Sequence, residues 1–284
     1  CDRGGFILPT DVEAAITPST VLVCVMHANN ETGAINNIKT IGRIAHSHDV
    51  PFFTDATQTF GKQPLNPVQS NVDAFAISFH KMHGVLGVGA LCIRRKFIEG
   101  HKLEPVICGS QNCGFRGGTE NIPGIAAGYK ALAYTWTDRA AKNARLSALK
   151  QRLIAELSKR VPCQTYTAWC DSPLTTRVQL IFFGDASAVY LPNTLLFTAV
   201  QRDGEICNKK IKEQLLARQI IVSAGSACNT SSPLASHVVV ALGVDKPTRK
   251  GTIRVSMQDD TTAADIDTFV QAYCSILHAI VNKK

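Results

Sequence analysis

The first half of the chain alternates apolar runs of strand length with a segment of helical spacing, and this alternation limits the possible folds more than any other feature. The strand-length runs occupy residues 20–26, 50–54, 72–78 and 89–93. Between the first two runs, Ile41, Ile44 and Ala45 recur at helical spacing within a helix predicted over 38–48. Strands separated by helices are typical of a mostly parallel sheet with both faces covered. The sequence therefore predicts an α/β fold.

The second half of the chain has a different pattern. Leu146, Leu149, Leu153 and Leu157 repeat at spacings of three and four, which predicts a long amphipathic helix. Strand-like runs and further helical segments follow at 178–183, 209–218, 220–222, 253–256 and 263–281. The length of 284 residues is enough for one large or two modest domains. We expect a larger domain over 1–138 and a smaller α+β domain over 139–284.

Three successive predicted strands of the first half are each followed by a polar cluster, at 29–31, 55–58 and 78–81. Polar residues at the carboxyl ends of strands lie where ligands bind in open α/β sheets. A lone lysine is usually a surface residue. Lys81, however, follows a very apolar run and precedes a glycine-rich stretch at 84–89. A lysine in such a partly dehydrated pocket is a nucleophile able to form a Schiff base.

Pyridoxal phosphate (PLP) enzymes need such a lysine together with an acid that pairs with the pyridinium nitrogen, so that the ring can accept electrons. Asp55, at the end of the preceding predicted strand, is the candidate acid, and Gln58 can hydrogen-bond the ring oxygen. Ser78, His80 and the glycine-flanked segment 116–119 can offer hydroxyl and N–H donors to the phosphate. Each of these features alone is a weak indication of a PLP site, because a glycine-rich stretch such as 84–89 is more often a loop and His80 is more often a structural histidine.

Five motifs occur in the order that is typical of one enzyme family. They are His-Ala-Asn-Asn-Glu-Thr-Gly at 27–33, Thr-Asp-Ala-Thr-Gln at 54–58, His-Lys at 80–81, Arg-Gly-Gly-Thr-Glu-Asn at 116–121 and Ser-Ala-Gly-Ser-Ala-Cys at 223–228. From about Val21 to about Ala264, the chain resembles NifS/IscS-type cysteine desulfurases, which are PLP-dependent enzymes of the aminotransferase class V group. The resemblance implies a fold-type-I PLP-dependent transferase, with a mostly parallel sheet in an αβα sandwich and a smaller C-terminal α+β domain.

The resemblance also implies roles for the residues around PLP. Lys81 would carry the cofactor as a Schiff base, and Asp55 would pair with the pyridinium nitrogen. Gln58 would bond the phenolic oxygen, while Ser78 and His80 would hold the phosphate.

Other positions match residues that act on the substrate, the partner subunit or the transferred sulfur in that family. Asn30 is expected to contact cofactor and substrate, and Arg254 to bind the substrate carboxylate as a fork. Thr119 matches the residue that reaches a phosphate in the neighbouring subunit, which implies a homodimer. Cys228 lies among small polar residues, where a thiol can act as a nucleophile. The predicted catalytic residues are therefore Lys81 and Cys228.

The reaction implied by the resemblance removes sulfur from L-cysteine, giving L-alanine and a persulfide on Cys228 for a sulfur-acceptor protein, as in iron–sulfur cluster assembly. Selenocysteine lyase remains the alternative enzyme, because a selenolate is the better leaving group. Nothing before Val21 matches the family's phosphate-binding turn or its ring-stacking histidine, and the sequence begins at Cys1. We expect an upstream portion to be missing and these residues alone to bind PLP weakly with little turnover. A truncated NifS-like binding or regulatory module is the second alternative.

Composition argues against several other classes of protein. The net charge of +8 is dispersed along the chain, which favours anionic small molecules over nucleic acid as partners. The ten cysteines form no C-x-x-C pair, so no metal site is expected, and the chain is too long and apolar to be a disulfide scaffold. These features favour an intracellular, cytoplasmic location. The longest apolar stretch, at 178–200, is interrupted by Asp185 and Pro192, so no membrane span is predicted.

Overall fold

The computed structural model describes residues 1–100, 103–173, 176–187, 189–202, 204–224 and 236–282. The chain divides into two compact units. The N-terminal unit comprises Ile7–Ala28 and Asn36–Arg139, and the C-terminal unit comprises Cys1–Phe6, Asn29–Ile35 and Ala140–Lys284. The sequence did not predict that 29–35 belongs with the C-terminal unit. The division into domains at residues 138 and 139 stays a prediction.

The N-terminal unit is built on a four-stranded sheet. Its elements are α1 (Pro9–Ala15), β1 (Val23–Cys24), α2 (Ile38–Ser47), β2 (Phe52–Asp55), β3 (Ala74–Ser78), β4 (Gly89–Ile93), α3 (Arg95–Gly100) and α4 (Ile122–Trp136). The strand order is β1-β2-β3-β4, with the first three strands parallel and β4 antiparallel to β3. A mostly parallel sheet is thus present, as predicted.

Helices cover this sheet because its strands are apolar on both faces. Ile41 and Ala45 of α2 are buried against Phe52 and Val72. A second cluster is formed by the buried side chains Ala56, Ile77 and Met82, with Leu132 of α4 packed against it. Burial of such side chains is the main driving force for folding, at about 25 cal/mol per Å² of apolar surface.

The C-terminal unit has its own four-stranded sheet, formed by β5 (Cys163–Thr165), β6 (Val178–Phe182), β7 (Thr194–Gln201) and β8 (Thr252–Ser256). The strand order is β5-β6-β7-β8, with β5 and β6 parallel and the other two pairs antiparallel. Its helices are α5 (Arg139–Ser158), α6 (Tyr166–Asp171), α7 (Asn208–Leu216), α8 (His237–Ala241), α9 (Lys246–Arg249) and α10 (Ala263–Val281).

The core of the C-terminal unit explains the leucine pattern of α5. Leu153 and Leu157 are fully buried in a cluster that also contains Ile211 of α7 and Val270 of α10. A separate cluster contains Ile181 of β6, Leu196 of β7 and Val239 of α8. The unit is therefore an α+β structure, as predicted.

Two of the predicted strands differ from the structure. The run at 20–26 forms a strand only at Val23–Cys24, which pair with Phe52 and Phe53. The prediction of a strand at 220–222 is wrong, because these residues pair with no strand in the described part of the chain. Ser223, which follows them, makes an isolated bridge with Arg254. A strand exists only where a neighbouring strand takes up its backbone hydrogen bonds.

Candidate active site

The carboxyl ends of β2 and β3 meet at one edge of the N-terminal sheet. Asp55 is the last residue of β2 and Ser78 is the last residue of β3. The two strands are parallel, with Asp55 in register with Ala76, so their carboxyl ends lie at the same edge. A 3₁₀ turn over Phe79–Met82 follows directly and carries His80 and Lys81. This edge gathers five of the residues predicted to bind PLP, Asp55, Gln58, Ser78, His80 and Lys81, whereas Asn30 and Thr119 lie elsewhere in the chain.

The carboxylate of Asp55 is exposed at this edge and oriented by the backbone. Its Oδ1 accepts a hydrogen bond from the N–H of Thr57 at 2.8 Å. The backbone carbonyl oxygen of Asp55 accepts a hydrogen bond from the N–H of His27 at 2.9 Å, which fixes the end of the strand. Gln58 follows in the same turn and is half-buried. An exposed, backbone-oriented carboxylate can pair with a cationic ring nitrogen.

The turn that carries Lys81 is anchored to α4, although Lys81 and His80 are themselves exposed. The buried Met82 accepts a hydrogen bond at its carbonyl oxygen from the Thr135 hydroxyl at 3.2 Å. The ring of Phe79 packs on Gly128 of α4, where a Cβ atom would lie 2.8 Å from the ring. Lys81 is therefore exposed on a firmly packed support. The prediction of a partly dehydrated pocket around Lys81 is wrong for the described residues, because none of them covers its side chain.

Thr119 directly follows a loop whose residues hydrogen-bond to one another. The N–H of Gly117 donates to the carbonyl oxygen of Ile107 at 2.7 Å. The N–H of Gly118, whose φ is +99°, donates to Oε1 of Gln111 at 3.0 Å. Thr119 follows this closed loop and remains exposed.

Asn30 and Arg254, the predicted substrate-binding residues, are in contact in the C-terminal unit. Nη1 of Arg254 donates to the backbone oxygen of Asn30 at 2.9 Å. The backbone of Arg254, in β8, exchanges two hydrogen bonds with Ser223. Burial lowers the pKa of Arg254, and the negative charge of Glu31 opposes this shift. The guanidinium is thus held in a half-buried position that suits binding of a carboxylate.

Sequence reasoning missed roles for two further residues of the C-terminal unit. Glu31 is fully buried, and its Oε2 accepts a hydrogen bond from the Ser236 hydroxyl at 2.6 Å. Ser236 is also the N-cap of α8, since its oxygen accepts from the N–H groups of Val238 and Val239. The sequence offered one indication, because a serine before an apolar run is a typical helix start.

Cys228, the predicted nucleophile, lies outside the described residues. Among the described cysteines, burial raises the pKa of Cys24, Cys92 and Cys274. A raised pKa leaves less thiolate, which is the nucleophilic form. These three thiols are therefore poorer candidates for sulfur transfer.

His27 is a buried histidine next to the Asp55 backbone. Burial lowers its pKa from 6.5 to about 4, and its Nδ1 atom has no hydrogen-bond partner among the described residues. The unfolded chain therefore binds a proton between pH 6.5 and 4 that the folded chain does not. Stability supplied by neutral His27 is complete above pH 6.5 and is lost as the pH falls towards 4.

We expect this loss to be about 3 kcal/mol in the free energy of unfolding. Urea titrations at a series of pH values give the free energy of unfolding as a function of pH. Between pH 7 and 4 this plot should have a smaller slope in His27→Leu, so that the total loss is about 3 kcal/mol less than in wild type. The exposed His48→Leu is the control and should keep the wild-type slope. Equal slopes in wild type and His27→Leu would contradict the prediction.

Within the described ranges, no three His, Cys, Asp or Glu side chains are grouped so that they could hold a metal ion. No helix in the same part of the chain has both the length and the apolarity that a membrane crossing needs.

A parallel sheet with a lysine and an acid at its carboxyl edge, accompanied by an α+β unit, corresponds to the fold-type-I class of PLP-dependent transferases. The predicted fold class is confirmed by a NifS-like protein of known structure, which matches with a TM-score of 0.80 and 27% identity. That match covers 98% of this chain and 67% of the other.

The chain belongs to the aminotransferase class-V family, whose model matches residues 1–269. It is 36% identical over 267 residues to the cysteine desulfurase IscS of Dictyoglomus turgidum, covering 94% of this chain. The structure of SspA in complex with cysteine matches with a TM-score of 0.68 and 28% identity, covering 92% of this chain and 65% of that one. The resemblance to NifS/IscS-type desulfurases is thereby confirmed. The chain spans 61% of the length of the IscS relative.

Proposed function

We propose that this chain supplies the PLP-binding and sulfur-transfer residues of a cysteine desulfurase. The observation that carries the proposal is the common edge of β2 and β3, where Asp55, Ser78 and the turn with Lys81 occur together. Similarity to relatives named cysteine desulfurase IscS supports the reaction type.

The residues at this edge fit PLP in their chemistry, and the family is PLP-dependent. The exposed carboxylate of Asp55 would pair with the ring nitrogen, and Gln58 would bond the phenolic oxygen. Ser78 and His80 would hold the phosphate, and the amine of Lys81 would attach the aldehyde carbon. When bound, PLP supplies an electron sink for the negative charge that develops on the substrate α-carbon.

The remaining steps belong to side chains of the protein. Arg254 would bind the carboxylate of L-cysteine, with Asn30 beside it as a further contact to substrate and cofactor. Lys81 would move the proton at the substrate α-carbon. The thiolate of Cys228 would attack the substrate sulfur.

Atoms and electrons balance in this reaction without an external oxidant. The carbon–sulfur bond of L-cysteine breaks, and a sulfur–sulfur bond forms between that sulfur and Sγ of Cys228. The electron pair of the broken bond stays on the substrate carbon, which takes up a proton to become L-alanine. The products are therefore L-alanine and a persulfide on Cys228, which a sulfur-acceptor protein would receive.

A homodimer is part of the proposal. Several large apolar side chains of the N-terminal unit are exposed, namely Leu86, Leu91, Ile122, Ile125 and Tyr129. Apolar surface of this kind is typical of faces that bind another protein. A second copy of the chain would cover it, and Thr119 would reach the neighbouring phosphate site. We place the enzyme in the cytoplasm, on the basis of its many free cysteines.

Replacing Arg254 by leucine tests the assignment of the substrate carboxylate. A hydrogen bond to a charged group contributes about 1.5–3 kcal/mol, so KM for L-cysteine should rise about 10- to 100-fold. Steady-state formation of L-alanine, with excess PLP, measures the change. The exposed Arg202→Leu is the matched control and should keep the wild-type KM. An unchanged KM in Arg254→Leu would remove Arg254 from the site.

A further inference from the structure

Two neighbouring residues of one short turn each hold a different part of the C-terminal unit. The turn spans 29–33 and is closed by the Asn29 side chain, whose Oδ1 accepts from the N–H groups of Glu31 and Thr32 at 2.8 and 3.0 Å. The N–H of Gly33 donates to the carbonyl oxygen of Asn29 at 3.0 Å. The turn is therefore a rigid element with a fixed direction for each group that it carries.

The turn is also fastened to the core of the unit. The N–H of Leu191 donates to the carbonyl oxygen of Gly33 at 2.7 Å. The carbonyl oxygen of Leu191 in turn accepts from Nζ of Lys150, which is buried, at 3.0 Å. A buried ammonium that donates to a backbone oxygen is costly to displace.

On one side, the turn holds the arginine of the substrate site. The backbone oxygen of Asn30 accepts from Nη1 of Arg254 at 2.9 Å. On the other side, the carboxylate of Glu31 accepts from the hydroxyl of Ser236 at 2.6 Å. A short hydrogen bond to a buried carboxylate is among the stronger neutral-to-charged contacts in proteins.

Ser236 is the first described residue after Cys228, and Ser223 is near the last described residue before it. Ser223 is paired with the backbone of Arg254, and Ser236 is bonded to Glu31. Ser223 and Ser236, which lie before and after Cys228 in the sequence, are thus both connected to residues near Arg254, Ser223 through β8 and Ser236 through Glu31.

We propose that Glu31 is a positioning residue, which holds Ser236 in the unit that carries Arg254 through its hydrogen bond to the Ser236 hydroxyl, and that sulfur transfer by Cys228 depends on this link. The inference rests on the proposed function, because it assigns Arg254 to the substrate carboxylate and Cys228 to sulfur transfer. Loss of the bond leaves substrate binding by Arg254 intact and slows the step that needs Cys228.

The test compares Glu31→Ala, Glu31→Gln and Ser236→Ala in the chain with excess PLP. We expect Glu31→Ala to lower kcat for L-alanine formation about tenfold or more, with KM for L-cysteine changed less than about threefold. Glu31→Gln keeps an acceptor oxygen for Ser236 and should stay within about threefold of the wild-type kcat. The exposed Glu213→Ala of α7 is the control and should retain the wild-type kcat.

Glu31 and Ser236 should also act as one unit. The double variant Glu31→Ala/Ser236→Ala is expected to be no slower than Ser236→Ala by more than about twofold, since the hydrogen bond between the two residues is already absent in Ser236→Ala. A double variant whose kcat is lowered by the product of the two single-variant factors would overturn the proposal. A Glu31→Gln protein as slow as Glu31→Ala would overturn it too, as would a rise in KM at unchanged kcat.

Hydrogen exchange gives a measurement that does not depend on turnover. In Glu31→Ala, the amides of Val238 and Val239, which are capped by Ser236, should exchange faster than in wild type, and Glu31→Gln should restore their protection. Unchanged exchange in Glu31→Ala would refute the link. If wild type forms no L-alanine while exchange changes as described, the proposed function fails and the Glu31–Ser236 link stands.

Discussion

Lys81→Ala is expected to lose both the visible absorbance that PLP gives to the wild-type chain and the formation of L-alanine from L-cysteine. The amine of Lys81 is exposed at the end of a packed turn, where it can meet an aldehyde without displacing core side chains. No other lysine occurs in the 3₁₀ turn that follows β3. A group that both attaches the cofactor and moves a proton contributes about 10²–10⁴-fold to the rate through proton transfer alone.

The measurement uses wild type and variant with excess PLP. Absorbance is recorded first, and reduction with sodium borohydride then fixes the imine as a stable bond. Mass spectrometry of peptides should place the label on Lys81 in wild type. Lys39→Ala, which removes an exposed lysine of α2, should retain label and absorbance. Label on another lysine in wild type would contradict the assignment.

The same experiment separates the enzyme from the alternative of a binding or regulatory module. A wild-type chain with no absorbance change, even at high PLP concentration, would favour the module. A band that responds to L-cysteine favours the enzyme, and relative turnover of L-cysteine and selenocysteine then distinguishes desulfurase from selenocysteine lyase.

Cys228→Ser should retain the cofactor absorbance and its response to L-cysteine, yet form no persulfide and no sulfide. A hydroxyl is a far weaker nucleophile than a thiolate at neutral pH, so we expect a loss of about 10³-fold or more in sulfur transfer. The separation of absorbance from turnover is the specific feature of this prediction, because Lys81→Ala loses both.

Persulfide on the protein is measured by alkylation and mass spectrometry after mixing with L-cysteine. Cys24→Ser is the matched control, since Cys24 is also a free cysteine but desolvation raises the pKa of its thiol and so lowers its reactivity. It should retain sulfur transfer. Sulfide release by Cys228→Ser at the wild-type rate would show that another group receives the sulfur.

The parts of the fold that could be predicted are those with a local periodicity. The helix at 263–281 and the strand at 89–93 have the predicted bounds, because each is marked by its own pattern of apolar residues. Strand β7 was missed: its first six residues are buried, so it has no alternation to read. The apolar stretch at 178–200, considered in the sequence only as a membrane candidate, holds β6 and most of β7.

Prediction of the site from the sequence has the same limit, because only its local features could be recognised. The shared edge of Asp55 and Lys81 followed from strand order, because carboxyl ends of parallel strands meet. The contact between residues 30 and 254 joins distant parts of the chain through a backbone oxygen, and no spacing in the sequence encodes it. The bond between Glu31 and Ser236 is equally long-range. Such contacts depend on tertiary packing, which only the folded structure reveals.

Membership of 29–35 in the C-terminal unit has a consequence for protein engineering. A fragment that contains only 139–284 would lack the segment 29–35, here called the strip. This strip supplies the Asn30 oxygen to Arg254 and the Glu31 carboxylate to Ser236. Grafting the C-terminal half onto a related enzyme would likewise place Arg254 and Ser236 against a foreign copy of that strip. Chimaeras in this family should therefore exchange 29–35 together with the C-terminal half.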